Sequence, residues 1–132
     1  MRIPIRLLAW PAAAAALLSA APALAEDWQV LTTSKEGIVF WIDRDSIQTV
    51  EGYPQAWTKS DYSAVETGDV SERKALEDYD CAARALRLRR TIAYGRDGNV
   101  LRTLNQTASE AKWSPVQEGS IGDAKIAEVC GG

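Results

Sequence analysis

The chain has 132 residues, with 15 Lys+Arg against 18 Asp+Glu, two cysteines and no histidine. The missing imidazole removes Ser-His-Asp and Cys-His nucleophile arrangements, His-ligated zinc and a Cys-x-x-Cys-His haem site, each of which needs it as base or ligand. The acidic balance disfavours wholesale neutralisation of nucleic-acid phosphates, and 46% hydrophobic with 25% charged residues is the composition of one globular domain, not of a disordered or fibrous chain.

Residues 1–25 read as a cleavable secretory signal peptide. Arg2 and Arg6 start it, an apolar run extends from Leu7 to Leu18, and Ala23-Leu24-Ala25 offers the small-x-small pattern that signal peptidase cuts. Pro11 interrupts the run, and Ser19 and Pro22 end it, which suits a cleaved segment better than a membrane span of about 20 apolar residues. Residues 26–132 are then a single mature domain beginning at Glu26. No cysteine lies near the cut, so no lipid anchor is expected. The protein is expected to be exported, either to the periplasm or out of the cell. The mature domain keeps 13 Lys+Arg against 18 Asp+Glu, a net charge of −5.

A domain of this size buries only about two-thirds of its unfolded surface, so a covalent staple is useful. Cys81 and Cys130 are the only cysteines, and an exported chain meets an oxidising compartment, so a disulfide between them is expected.

In chain order, Trp28–Thr32 and Ile38–Ile42 are short runs rich in β-branched and aromatic residues, joined by the turn-forming Ser34-Lys35-Glu36-Gly37; they predict a hairpin. Asp43-Arg44-Asp45-Ser46 stops the second strand, Ile47–Val50 resumes extended structure, and Glu51-Gly52-Tyr53-Pro54 turns again before a strand from Ala56 to Tyr62. Residues 63–80 are polar and charged, and periodicity leaves Ser71–Tyr79 open between strand and irregular loop. Cys81–Tyr94 has alanines and leucines that favour a helix. The hairpin loop Gly95-Arg96-Asp97-Gly98-Asn99 and its partner run Val100–Leu104 tip it to strand. One helix is clear from its ends: Ser120 as N-cap with Asp123 three residues on, and Gly131 after the last periodic residue. Its more apolar line, Ile126, Val129 and Cys130, is expected to dock and to bring the helix to the start of the Cys81 strand.

The order and spacing of these residues resemble the bacterial surface-adhesin protein E family. The features are Trp28, Phe40-Trp41-Ile42-Asp43 ahead of Ser46-Ile47, Trp57, Asp80-Cys81 followed by arginines, Trp113 before Pro115 and Gly119-Ser120, and the terminal Cys130. The resemblance implies an α+β fold, a small antiparallel β-sheet with one C-terminal α-helix tied to it by the disulfide, and a role in binding host or extracellular-matrix proteins. Lack of lipidation departs from the family members displayed as lipoproteins.

Chemistry-bearing motifs are sparse. Asp43-Arg44-Asp45 begins like a calcium loop, but Ile47 stands where the pattern needs another oxygen ligand, so these are read as turn residues and no metal is expected. Glu77, Asp78 and Asp80 are read as a solvated charge run and not as an acid/base pair. Asn105-Gln106-Thr107 matches a glycosylation sequon. No cofactor is expected. Arg84, Arg87, Arg89, Arg90, Arg96 and Arg102 fall within 19 residues. In a regular strand Arg87 and Arg89 share one face and Arg84 and Arg90 the other. Cross-strand pairing with Asp and Glu is their commoner use. Convergence would make Arg84, Arg87, Arg89 and Arg90 a ligand-binding surface suited to acidic proteins, sulfated glycans or anionic lipid. Trp28, Trp41, Trp57 and Trp113 are expected to serve the core and pack the helix.

The sequence thus points to an adhesin-like, non-enzymatic binding module for a protein or anionic polymer. The alternatives are a periplasmic accessory or envelope-stress protein that binds a bacterial protein or envelope polymer, and a small carboxylate-dependent hydrolase.

Overall fold

The computed structural model describes residues 26–131; the signal-peptide reading falls on residues 1–25, outside the described ones. β1 (Trp28–Thr33) and β2 (Val39–Asp43) form the expected hairpin, antiparallel with Trp28 opposite Asp43 and Thr33 opposite Val39. A single 3-10 turn (Arg44–Ser46) follows, then β3 (Gln48–Val50), β4 (Tyr53–Asp61), β5 (Val70–Asp80), β6 (Ala85–Gly95), β7 (Val100–Asn105), the short β8 (Ser114–Pro115) and helix α1 (Ile121–Cys130). The sheet order is β1-β2-β4-β5-β6-β7, all antiparallel, with β3 on β4 and β8 on β6. This is the expected α+β architecture.

β2 and β3 run along one edge of β4, interrupted where the 3-10 turn leaves the ladder. Two side chains satisfy the backbone there. Asp43 Oδ1 accepts from the amides of Asp45 (3.1 Å) and Asp27 (2.8 Å), and Ser46 Oγ accepts from the Trp57 amide (2.8 Å). The turn before β4 is shorter than the sequence suggested. Glu51 (φ 53°) and Gly52 (φ 89°) alone connect Val50 to its partner Tyr53, so Tyr53 and Pro54 already belong to the strand. Two consecutive positive φ values make a type I′ connection, whose twist matches that of the strands it joins.

Ser71–Tyr79, left open by periodicity, is the middle of the central strand β5, paired on both sides. Its polar residues are accommodated because Ser71–Lys74 are only half-buried and the buried Glu77 and Asp78 are hydrogen-bonded to partners on other elements. Ala85–Gly95 is strand despite its helix formers, since pairing with β5 and β7 outweighs a local preference of tenths of a kcal/mol per residue.

Residues directly opposite in a ladder share a face, as do alternate residues along a strand. By this rule Ile42, Ala56, Thr58, Glu77 and Tyr79 lie on one face, and Trp41, Trp57, Lys59, Lys74, Leu76 and Asp78 on the other. Helix α1 covers the first. Its Ile126 joins Ile42, Ala56 and Tyr79 in the buried core, and Leu31, Ile47, Leu86, Val116, Val129 and Cys130 pack around them. The docking line Ile126, Val129 and Cys130 is as expected from the sequence. Ser120 caps the helix by accepting from the Asp123 amide (3.2 Å), and the Asp123 carboxylate accepts from the Gly119 amide (2.9 Å), one residue before the cap; Gly131 closes the other end at φ 80°.

The Cys81–Cys130 disulfide is present, with Cα atoms 5.8 Å apart. Cys81 lies in the Cys81–Arg84 turn between β5 and β6 and not in the strand itself. Three ion pairs fix the helix further: Arg44 with Glu128, Arg84 with Asp123, and Lys125 Nζ with Glu77 Oε1 at 2.9 Å. At the far side of the sheet, β7 is exposed along its whole length, with Val100, Leu101 and Leu104 open to solvent.

Candidate binding face

The face of the sheet that the helix leaves bare carries the tryptophans. Contrary to the expectation that they build the core, Trp28, Trp41, Trp57 and Trp113 are all half-buried, and none belongs to the core cluster. The physical reason is the alternation along β2 and β4. Ile42 and Ala56, which meet the short helix, stand one residue away from Trp41 and Trp57, and so point to the opposite side.

Cations interleave these rings. Lys59 Nζ sits 4.3 Å from the Trp28 ring centroid and 5.2 Å from that of Trp41. Arg90 lies 5.9 Å from Trp57, and Arg87 lies 4.4 Å from Trp113 and 5.2 Å from Tyr53, whose two rings are tilted 56° to each other with centroids 4.8 Å apart. Such contacts are each worth about 0.5–2 kcal/mol, depending on desolvation.

The arginines are arranged differently from a regular strand. The ladder pairs Leu76 with Arg90 but Glu77 with Leu88, which leaves Arg89 as the extra residue of a β-bulge. The bulge shifts the alternation, so Arg87, opposite Asp78, and Arg90, opposite Leu76, occupy the same face instead of opposite ones. Arg87 Nε and Arg89 Nη1 both donate to Asp78 Oδ2, at 2.8 and 2.9 Å, and Gln55 Nε2 donates to Asp78 Oδ1 at 2.9 Å. Burial opposes ionisation of Asp78, but the Arg87, Gln55 and Arg89 donors together outweigh it and hold the carboxyl below its usual range. Arg90 is exposed. Arg84, at φ 53° in the turn, stands apart and pairs with Asp123 on the helix. The structure thus brings Arg87, Arg89 and Arg90 together and leaves Arg84 outside the group.

Glu77 and Asp78 are buried, at 6% and 1% exposure, and not the solvated run that their charges suggested. They face opposite sides of the sheet. Glu77 Oε1 accepts from Tyr79 Oη (2.9 Å), Thr58 Oγ1 (3.1 Å) and Lys125 Nζ (2.9 Å), and burial together with that carboxylate pushes the Tyr79 phenol well up. Asp80 accepts from the Ala83 amide at 3.0 Å in the turn before β6. Each carboxylate is thus committed to a separate structural task.

Beside Arg90 the open face hollows into a trough of about 250 Å³, walled by Trp28, Trp57, Ile92 and Tyr94, with Lys74 on one flank and Glu26, Asp43 and Asp45 on the other. Lys74 Nζ lies 6.0 Å from the Trp28 centroid and 5.7 Å from that of Tyr94. Lys59, Lys74 and Tyr94 were not legible as a group in the sequence because they come from three different strands and lack the local density of the arginine run. Trp57-Thr58-Lys59 alternating with Trp41 and Lys74 across the ladder was the available signal.

The sequence model of the surface-adhesin protein E family matches residues 28–131, nearly all of the described chain. No curated protein and no solved structure matches it.

Proposed function

We propose that this chain, which belongs to the surface-adhesin protein E family, is an adhesin-like module that binds an extracellular protein through the open face of its sheet. One observation carries the reading: the helix consumes one face for the core, while the other presents four tryptophans interleaved with cations. Tryptophan and arginine are the residues that most often carry binding energy at protein interfaces. Arg90 is the exposed member of the arginine group. Arg87 and Arg89, braced on Asp78, hold the ground beneath it, and Arg84 serves the helix. Export with cleavage before Glu26 and no lipid belongs to the same reading, and intact-mass spectrometry of the native protein tests it.

The experiment for the face is a pull-down from extracellular-matrix and bacterial-envelope extracts, followed by titration of the captured protein across a salt series. The parent is expected to capture a matrix protein, with affinity that falls as ionic strength rises, because screening shortens the reach of exposed charges to about 8–10 Å near physiological salt. An Arg90→Glu, Trp57→Ala variant is expected to lose capture at an unchanged melting temperature. Undiminished capture by that variant overturns the assignment of the face, and capture from the envelope extract alone overturns the adhesin role.

A further inference from the structure

Lys59 on β4 and Lys74 on β5 are directly opposite each other in the ladder. Like charges so placed repel and cost stability. A carboxylate neighbour would be the ordinary remedy, yet among the described residues the ion pairs engage Arg44, Arg84, Arg87, Arg89, Arg102 and Lys125, and neither of these lysines. Both ammonium groups instead lie against the Trp28 ring, whose negative π face offsets part of the repulsion. The remainder is an unsatisfied attraction for an anion, next to a trough with aromatic walls.

We propose that this trough binds one carboxylated sugar residue of an extracellular glycan, a uronic or sialic acid. The inference rests on the open face being the binding face, and names the chemistry that it recognises. Three features of the trough select this class. Its volume of about 250 Å³ lies just below the range of about 300–1,000 Å³ that takes drug-sized ligands, and so suits a single ring. Trp28, Trp57 and Tyr94 offer flat apolar surfaces for the C–H face of a pyranose. The charge is divided: Lys74 in the wall, with Lys59 opposite it in the ladder and 4.3 Å from the Trp28 ring centroid of the same trough, attracts a carboxylate, whereas the exposed Glu26 and Asp45 on the other flank accept hydrogen bonds from hydroxyl groups. That acidic flank repels an acid-rich peptide, and suits a ligand with one negative charge on a hydroxyl-bearing ring. Asp43 helps to shape this flank without being free, since its carboxylate caps the 3-10 turn.

The test uses tryptophan fluorescence of the exported protein, titrated with hyaluronan oligosaccharides and with sialyllactose, to separate the two sources of the carboxylate. Lactose, chitin oligosaccharides and a poly-glutamate peptide are the comparison ligands. At least one carboxylated sugar is expected to give a saturable change that weakens with salt, and the neutral sugars and the peptide none. Lys59→Gln and Lys74→Gln, which keep most of the aliphatic stem, are each expected to weaken that binding about tenfold, the worth of one hydrogen bond to a charged group. Melting temperatures check that both variants fold, and removal of the like-charge pair is expected to leave them at or above the parent. Equal response to neutral and carboxylated sugars, response to the peptide alone, no response at millimolar sugar, or parent-like affinity in both variants each overturn the proposal. Its failure is distinct from failure of the open face as a whole. A captured matrix protein that still binds after enzymatic removal of its glycans, with Arg90→Glu still disruptive, sinks the sugar and keeps the face.

Discussion

Arg87 donates through Nε to Asp78 Oδ2 at 2.8 Å across the β5–β6 ladder, with the arginine 8% and the aspartate 1% exposed. A buried pair of this kind is weak evidence of net stabilisation, but removal of one partner strands the other charge, at about 3–5 kcal/mol. Asp78→Asn is therefore expected to lower the urea unfolding free energy by about 3 kcal/mol, the lower part of that range, because the rings of Trp113 and Tyr53 still shelter the guanidinium. A loss below about 0.5 kcal/mol, the scale of an ordinary surface change, would contradict the account.

The same carboxylate sets an acid limit. Its folded-state pKa lies below the unfolded one, so its stabilising contribution is complete above about pH 4, the ordinary aspartate region, and is lost as pH falls through the folded value. Stability of the parent is expected to decline more steeply below about pH 4 than that of Asp78→Asn. Asp97, Glu110 and Asp123 are also held low, by hydrogen bonds from Asn99, Thr107 and Gly119 respectively, and contribute to both proteins alike. Parallel acid profiles for parent and variant would show that Asp78 is not the group responsible.

Glu51 holds φ 53° in the two-residue connection between β3 and β4, a left-handed conformation that costs a non-glycine residue roughly 1–2 kcal/mol. Asparagine tolerates it better and is favoured ahead of glycine in type I′ turns. Glu51→Asn is expected to raise the unfolding free energy by about 0.5–1 kcal/mol, read from the urea midpoint at constant m. A lower midpoint would mean that the Glu51 side chain does something this geometry does not explain.

The disulfide spans 49 residues, for which the chain-entropy description gives about 4 kcal/mol. Alkylation of the unreduced, denatured protein is expected to label neither thiol. The double replacement Cys81→Ala, Cys130→Ala is expected to lower the melting temperature by more than 10 °C at about 4–8 °C per kcal/mol. Labelling without reductant, or an unchanged melting temperature, would contradict this.

Much of the fold was legible because local signals and tertiary structure agree. The β1–β2 hairpin follows from two β-branched and aromatic runs about a turn, and α1 from Ser120, Asp123 and Gly131 at its ends. The binding face was less so. Nothing local marks Arg89 as the bulged residue, and without the bulge Arg90 is assigned to the wrong side. Besides the nearby Tyr79, burial of Glu77 and Asp78 depends on Gln55, Thr58, Arg87, Arg89 and Lys125, 9 to 48 residues distant, which periodicity does not register. The tryptophans misled through size alone: large aromatics usually fill small cores, whereas here the short helix packs on Ile42, Ala56 and Tyr79, leaving the indoles on the other side.

The central claim, that the face opposite the helix is the one that binds, is tested most directly by oxidative footprinting of the exported protein, alone and with a captured matrix ligand. Indole, phenol and large aliphatic side chains report where the ligand covers the surface. The account predicts that bound ligand protects Trp28, Trp57 and Tyr94 on the open face and leaves the oxidisable aliphatic side chains on the helix side, Leu31 of β1 and Ile121 of α1, reacting as in the free protein. Protection confined to α1 and to the neighbouring Leu31 of β1, with the tryptophans oxidised at the free rate, would contradict it.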